Sequence, residues 1–292
     1  KMYSDTHFHF NLMDENFRAE ILTELAKKEC FFGLDIGTHC DDLISRQKMV
    51  KTALSQISDL ELKEKGTKLI YFSAGIWPAP EAIKNRFEQM KILEEQILQS
   101  KNLNTELSNK IIAIGECGLD HHWNPSGVDG RCESDFDQEV FDGEREMFKM
   151  HLELSKKMNL PVIVHSRDAF DGTVECIKDV GYDNGIIHCY SYGIEEAKVF
   201  LDRGWYLAFG GGVTYTKKSK MEQMEKLLQY VPEDRILLET DAPYLAPVPF
   251  RGKTNSPLLI ENTYKFIADI RGIEVEKLSL IVDKNIKGLF RI

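Results

Sequence analysis

Four histidines and two acids occupy positions from which they could gather metal ions. His7 and His9 form a His-x-His pair, and Glu116, His165, His188 and Asp241 follow at long intervals. Imidazole with carboxylate suits Zn²⁺, Mn²⁺, Co²⁺ or Fe²⁺ better than the all-oxygen shell of Ca²⁺. A catalytic zinc usually takes three protein ligands, so this surplus points to two divalent metal ions (Zn, Mn or Mg) with one carboxylate between them. Glu116, between the two ligand groups along the chain, is the candidate bridge. Two ions about 3.5–4 Å apart can activate a water and stabilise a leaving oxygen. Asp241 is then the candidate general base for that water. The chain has no Gly-x-Ser-x-Gly nucleophile elbow, no P-loop and no dinucleotide fingerprint. The expected chemistry is hydrolysis by metal-activated water.

Such ligands need rigid elements to bring them together. Short β-rich apolar segments at 2–9, 31–38, 68–76, 111–119, 161–166, 185–190, 205–213 and 236–240 alternate with amphipathic stretches. The latter include 16–29, 81–99, 139–158, Ile194–Asp202 and Met221–Tyr230, and the chain closes with 255–271 and 274–290. Eight strand–helix units predict a parallel sheet closed into a TIM-type (β/α)8 barrel, a single domain over 1–292. An open doubly wound sheet is the structural alternative. In a barrel the chemistry sits at the C-terminal ends of the strands, and all six candidate ligands fall there. Strand alternation sends His7 and His9 to one face, roughly 6.6 Å apart at Cα, and Phe8 outward. A lone histidine in a strand is ordinarily a packed core residue. Six such groups at five strand ends are costly to bury without partners, which favours the metal reading.

The remaining candidates receive plainer readings. His39, His121, His122 and His151 are expected on loops or helix surfaces, with one of His121 and His122 a candidate to face substrate. Cys117 and Cys189 should turn away from the site as packing residues. Segment 121–143, polar and rich in Asp, Glu and Gly, reads as an extended loop on the active-site face.

Composition narrows the function classes. Hydrophobic residues make up 42% and charged residues 29%, and no apolar run approaches a membrane span. The N-terminal segment lacks the apolar core of a signal peptide. The six cysteines are scattered without a CxxC pair, so reduced thiols and a cytoplasmic location are expected. A net charge of −10 does not suit a non-specific duplex coater, so any nucleic acid must be gripped locally. No obligate protein partner is evident.

The motifs Asp5-Thr6-His7-Phe8-His9, Gly115-Glu116-Cys117-Gly118-Leu119-Asp120, His165-Ser166-Arg167, His188-Cys189-Tyr190-Ser191 and Glu239-Thr240-Asp241-Ala242-Pro243-Tyr244-Leu245 closely resemble those of the TatD family of metal-dependent deoxyribonucleases. Arg251-Gly252-Lys253, with Asn255 and Pro257, resembles the family's basic loop after strand eight. Asn285 with Leu289-Phe290 resembles its C-terminal helix. The resemblance implies a divalent-metal phosphodiesterase acting on DNA, with exonuclease activity among its members, and the net charge of −10 favours a substrate that is single-stranded or engaged at ends over long duplex. The resemblance also implies the same six metal ligands, and it makes Arg167, Arg251 and Lys253 candidates for contacting substrate phosphate. The chain departs from the family pattern at Phe8, Phe10, His121-His122 and Tyr192 and in the length of the segment through Gly143, which bears on substrate preference.

Two other functions stay open on the residues alone. The same barrel could hydrolyse a carbon-centred bond such as an amide, a lactone or an aminoacyl-tRNA ester. It could also be a binding protein without catalysis, which the complete ligand set and possible base argue against.

Overall fold

The computed structural model describes residues 3–292. Eight parallel strands pair in chain order: β1 (Asp5–Phe8), β2 (Gly33–Asp35), β3 (Ile70–Ala74), β4 (Ile111–Asp120), β5 (Val162–Arg167), β6 (Gly185–Ile187), β7 (Tyr206–Phe209) and β8 (Ile236–Leu238). A bridge between Phe8 and Ala242 joins the last strand to the first, with Asp241 N–H donating to the His7 carbonyl at 2.8 Å. The sheet therefore closes as the TIM barrel that the alternation predicts.

Among the described residues, eleven helices cover the outside. They are α1 (Arg18–Lys27), α2 (Leu43–Ser55), α3 (Leu60–Leu69), α4 (Pro80–Lys84), α5 (Arg86–Leu103) and α6 (Gln138–Met158), then α7 (Phe170–Val180), α8 (Ile194–Asp202), α9 (Met221–Tyr230), α10 (Ile260–Arg271) and α11 (Val275–Phe290). None among the described residues is long and apolar enough to cross a membrane.

Several boundaries differ from the sequence expectation. Met2, the expected start of the first strand, lies outside the described residues. Lys68 and Leu69 end α3 instead of opening β3. A short apolar run fits either state, so periodicity does not separate them. The seventh strand stops at Phe209, and Gly211–Tyr215 form a 3₁₀ turn. A side chain at Gly211 would collide with the Leu245 carbonyl, so the chain must turn there under the loop from β8. Segment 121–143 is not loop throughout. Asp137 accepts from Val140 N–H at 2.8 Å and starts α6 at Gln138, an N-cap that a polar stretch conceals.

One buried polar cluster braces the β1–β2 side. Arg46, 1% exposed, donates to Asp35 Oδ2 at 2.8 Å, to Asp42 Oδ1 at 3.0 Å and to the Ser73 carbonyl at 2.6 Å. Asp35 also accepts from Phe10 N–H at 3.0 Å, which fixes the backbone just after His9.

Candidate metal centre

The six candidate ligands come together at the C-terminal mouth of the barrel. His7 lies within β1, and His9 follows its last residue, tied to the Ala242 carbonyl through its N–H at 2.8 Å. Phe8 turns away, fully buried, its ring covering Gly33 beside Leu69 of α3. Glu116 lies in β4 and His165 in β5. His188 directly follows β6, its N–H donating to the Val164 carbonyl at 2.9 Å. Asp241 sits three residues past β8 in the left-handed region, φ 56°, as does Cys189 at φ 45°. Such backbone in non-glycine residues is strained and clusters at functional sites.

Glu116 divides its two oxygens between the two histidine pairs. Oε2 lies 3.3 Å from His7 Nε2 and 3.7 Å from His9 Nε2. Oε1 lies 2.9 Å from His188 Nε2 and 3.2 Å from His165 Nδ1. The register of β4 against β5 shifts between Gly115 and Cys117, so Glu116 occupies an irregularity that re-aims its side chain. Gly118, at φ 140°, must lack a Cβ because one would overlap the His165 carbonyl. Close contact between β4 and β5 brings Glu116 and His165 together. Asp241 Oδ1 lies 3.2 Å from His9 Nε2 and 3.4 Å from His7 Nε2.

A second ring of acids orients the imidazoles. Asp120 Oδ2 lies 2.8 Å from His165 Nε2, which leaves Nδ1 to face Glu116. Glu239 Oε1 lies 3.2 Å from His188 Nδ1 and accepts from Cys189 N–H at 2.6 Å. Asp5 accepts from Thr240 Oγ1 at 2.6 Å and from His7 N–H at 3.1 Å, joining the first strand to the segment after the last. Asp5, Asp120 and Glu239 lie within the ligand-bearing motifs, but their residue types alone do not assign them this orienting role. The available signal was chemical, since a ligating histidine needs an acceptor on its far nitrogen. Which acid serves which histidine depends on strand neighbours.

The donor set fits divalent ions. His7 is fully buried, and neither of its ring nitrogens has a hydrogen-bond partner among the described residues. Three groups of described residues each place ligand atoms within 4.8 Å of one another: His7 with His9 and Glu116, Glu116 with His165 and His188, and His7 with His188 and Glu239. Burial disfavours an imidazolium at His188, yet Glu116 and Glu239 beside it raise its pKa well above the ordinary value. Burial would likewise raise Glu116, but His188 and His7 hold its carboxyl well below the usual range. The cluster favours cations between its carboxylates, and bound metal displaces protons from such ligands.

Arg167, at the end of β5, and Arg251 and Lys253, beyond β8, are exposed at this same end of the barrel. The guanidinium of Arg251 stacks on Tyr215 at 4.4 Å. The expectation for His151 is corrected. It sits on α6 but is fully buried, its Nδ1 at 2.8 Å from the Met147 carbonyl and its Nε2 accepting from Ile76 N–H at 3.0 Å. The amphipathic pattern of α6 does not reveal this, because a neutral imidazole can be buried once both nitrogens are satisfied. His121 is half-buried against Glu144 at 2.7 Å, and His122 pairs with Asp168 at 2.8 Å. Cys117 is buried and Cys189 partly so, and all six cysteines are free thiols.

Known proteins resemble this chain in sequence and in fold. The family model for TatD-related DNase matches residues 4–291. The metal-dependent hydrolase YabD of Bacillus subtilis is 32% identical over 293 residues, covering 100% of both chains. The metal-dependent hydrolase YcfH of Escherichia coli is 36% identical over 184 residues, 62% of this chain and 63% of that one. Among solved structures, the TatD homologue YJJV of Escherichia coli superposes with a TM-score of 0.75 at 22% identity, covering 99% of this chain and 98% of its own. A PTE-like lactonase of Deinococcus radiodurans shares the fold at a TM-score of 0.60 and 14% identity, covering 99% of this chain and 95% of its own. The chain belongs to the TatD-related DNase family and is a metal-dependent hydrolase on a (β/α)8 barrel.

Proposed function

We propose that this protein hydrolyses phosphodiester bonds of DNA, as an exonuclease acting on single strands or ends, with two divalent ions held by His7, His9, Glu116, His165, His188 and Asp241. The observation that carries the reading is the divided carboxylate of Glu116, one oxygen toward each histidine pair. That geometry suits two adjacent cations, the arrangement common to many phosphoryl-transfer sites. When bound, such ions acidify the attacking water and neutralise charge on the phosphate and leaving oxygen.

The chain's own groups do the rest. Asp241, whose side chain is 14% exposed, can both ligate and take the proton of the attacking water. Glu116 keeps the two halves of the site at a set spacing. Arg167, Arg251 and Lys253 supply local positive charge for phosphate in a protein of net charge −10.

Metal-dependent cleavage of 3′- and 5′-labelled single-stranded oligonucleotides tests this, comparing Mg²⁺, Mn²⁺ and Zn²⁺ with His165→Ala as control. Stepwise shortening that disappears in the variant supports the proposal and gives the polarity. Absence of cleavage by protein shown to bind metal overturns it in favour of a carbon-centred hydrolase.

A further inference from the structure

The charge around the barrel mouth is polarised, and its basic sector is a built surface. Loops 210–220 and 242–260, after β7 and β8, carry Lys217, Lys218, Lys220, Arg251 and Lys253 and no carboxylate. All five cations are exposed. Across the barrel, segment 121–137 after β4 carries Asp129, Glu133, Asp135 and Asp137. Its one cation, Arg131, is buried and committed to Asp120 at 2.9 Å and Asp129 at 3.1 Å. The loop after β2 adds exposed Asp41, and the loop after β1, which adjoins β8, carries exposed Asp14 and Glu15.

The two basic loops are locked together. Gly211 packs under the Leu245 carbonyl without room for a Cβ, and Val248 N–H donates to Thr214 Oγ1 at 2.9 Å. Arg251 closes the seam by stacking on Tyr215. The surface also reaches the ligands. Tyr244, 53% exposed, presents an edge-on contact to His9 with ring centroids 6.0 Å apart. An aromatic ring beside the ligands and exposed cations on two loops in mutual contact are what a single polynucleotide strand requires: stacking for bases and charge for phosphates. A second strand would meet the acidic wall over β4.

We infer that a single-stranded nucleic acid leaves the metal centre over the β7–β8 loops, past Tyr244 and the Arg251–Tyr215 stack, with Lys217, Lys218 and Lys220 holding its distal phosphates. This rests on the phosphodiesterase reading and adds its direction. Beyond Arg167 at the end of β5, the acidic segment after β4 opposes continuation on the far side, so the site engages strand ends. The three lysines touch no proposed ligand, so they govern grip on a long substrate and not the bond-breaking step.

The test compares the wild type with the Lys217→Gln/Lys218→Gln/Lys220→Gln triple variant. A charge-matched control changes three exposed helix lysines elsewhere, Lys51→Gln/Lys91→Gln/Lys178→Gln. Each is assayed with Mn²⁺ on bis(4-nitrophenyl) phosphate and on a labelled single strand of about fifteen nucleotides. The same strand is bound to metal-free protein by fluorescence anisotropy between about 50 and about 200 mM NaCl. For the β7–β8 variant we expect kcat/KM on the strand to fall about tenfold, with the small diester changed less than about twofold. The salt slope of binding should drop by about two, as three lost contacts at about 0.7 each predict. Loss on the strand equal in the control variant, or no loss in either, overturns the inference while leaving the phosphodiesterase reading intact. If the wild type cleaves neither substrate, that reading fails, and anisotropy still decides the track. Weaker binding confined to the β7–β8 variant upholds it, and equal binding by all three proteins overturns it.

Discussion

Asp120 Oδ2 lies 2.8 Å from His165 Nε2, and the pairing turns the other ring nitrogen toward Glu116. Arg131 clamps the same acid through Oδ1 at 2.9 Å and its backbone carbonyl at 2.7 Å. Burial would raise the Asp120 carboxyl, but His165 and Arg131 hold it below the usual range. It therefore acts as a fixed anion that sets the imidazole tautomer. Asp120→Asn should weaken metal binding about 10–100-fold, the usual cost of losing such an orienting partner. Calorimetric titration of the metal-free variant would reveal this, and unchanged affinity would remove the positioning role.

Glu116 is the one ligand with an oxygen toward each histidine pair. Glu116→Ala should lose both ions after dialysis, whereas His188→Ala should lose one. Metal content per chain by mass spectrometry separates the cases. Equal loss in the two variants would be incompatible with Glu116 as a bridge.

Asp241→Asn keeps the shape of the side chain and removes its basicity. Hydrolysis should fall about 10²–10⁴-fold, the range for a lost acid–base group. Melting temperature should barely move and metal content is to be measured in parallel. Unchanged turnover would sink the assigned role.

His151 ties folding stability to pH. Burial pushes its pKa from 6.5 down to about 4, and the Ile76 N–H pointing at Nε2 leaves no place for a second proton. The unfolded chain binds that proton more tightly, so stability falls as pH drops from about 6.5 to about 4 and is level above. The shift corresponds to about 3 kcal/mol at its full extent. Urea denaturation across that window should show a shallower acid decline for His151→Gln than for the wild type. Parallel curves would contradict the burial account.

Arg46 and Asp35 form a buried pair beside the backbone that carries His9. Arg46→Met strands the carboxylate and should cost about 3–5 kcal/mol in chemical denaturation. Adding Asp35→Asn should recover part of the loss, because the unpaired charge is then gone. No recovery would show that packing of the arginine stem dominates.

Much of this was legible in the residue order. Alternating apolar and amphipathic segments determined the barrel because each strand and helix must bury its own face. The six ligand candidates could be read because imidazoles and carboxylates are too costly to place at strand ends without partners. The pair His7 and His9 follows from strand alternation alone.

Contacts between distant segments decided the rest. Asp120 faces His165 from the neighbouring strand, β4 against β5, whereas Glu239 after β8 reaches His188 after β6 across β7, and both placements are tertiary properties. His151 looked like a surface residue of α6 until Met147 and Ile76 enclosed it from two elements. The polarity of the mouth also waited for the fold. The five cations at 217–253 and the acidic segment at 121–137 are separate blocks of the chain, and only barrel closure sets them on opposite sides of the ligands. Local sequence determines what each segment can bury or bind, while the direction in which those groups face depends on which strands become neighbours.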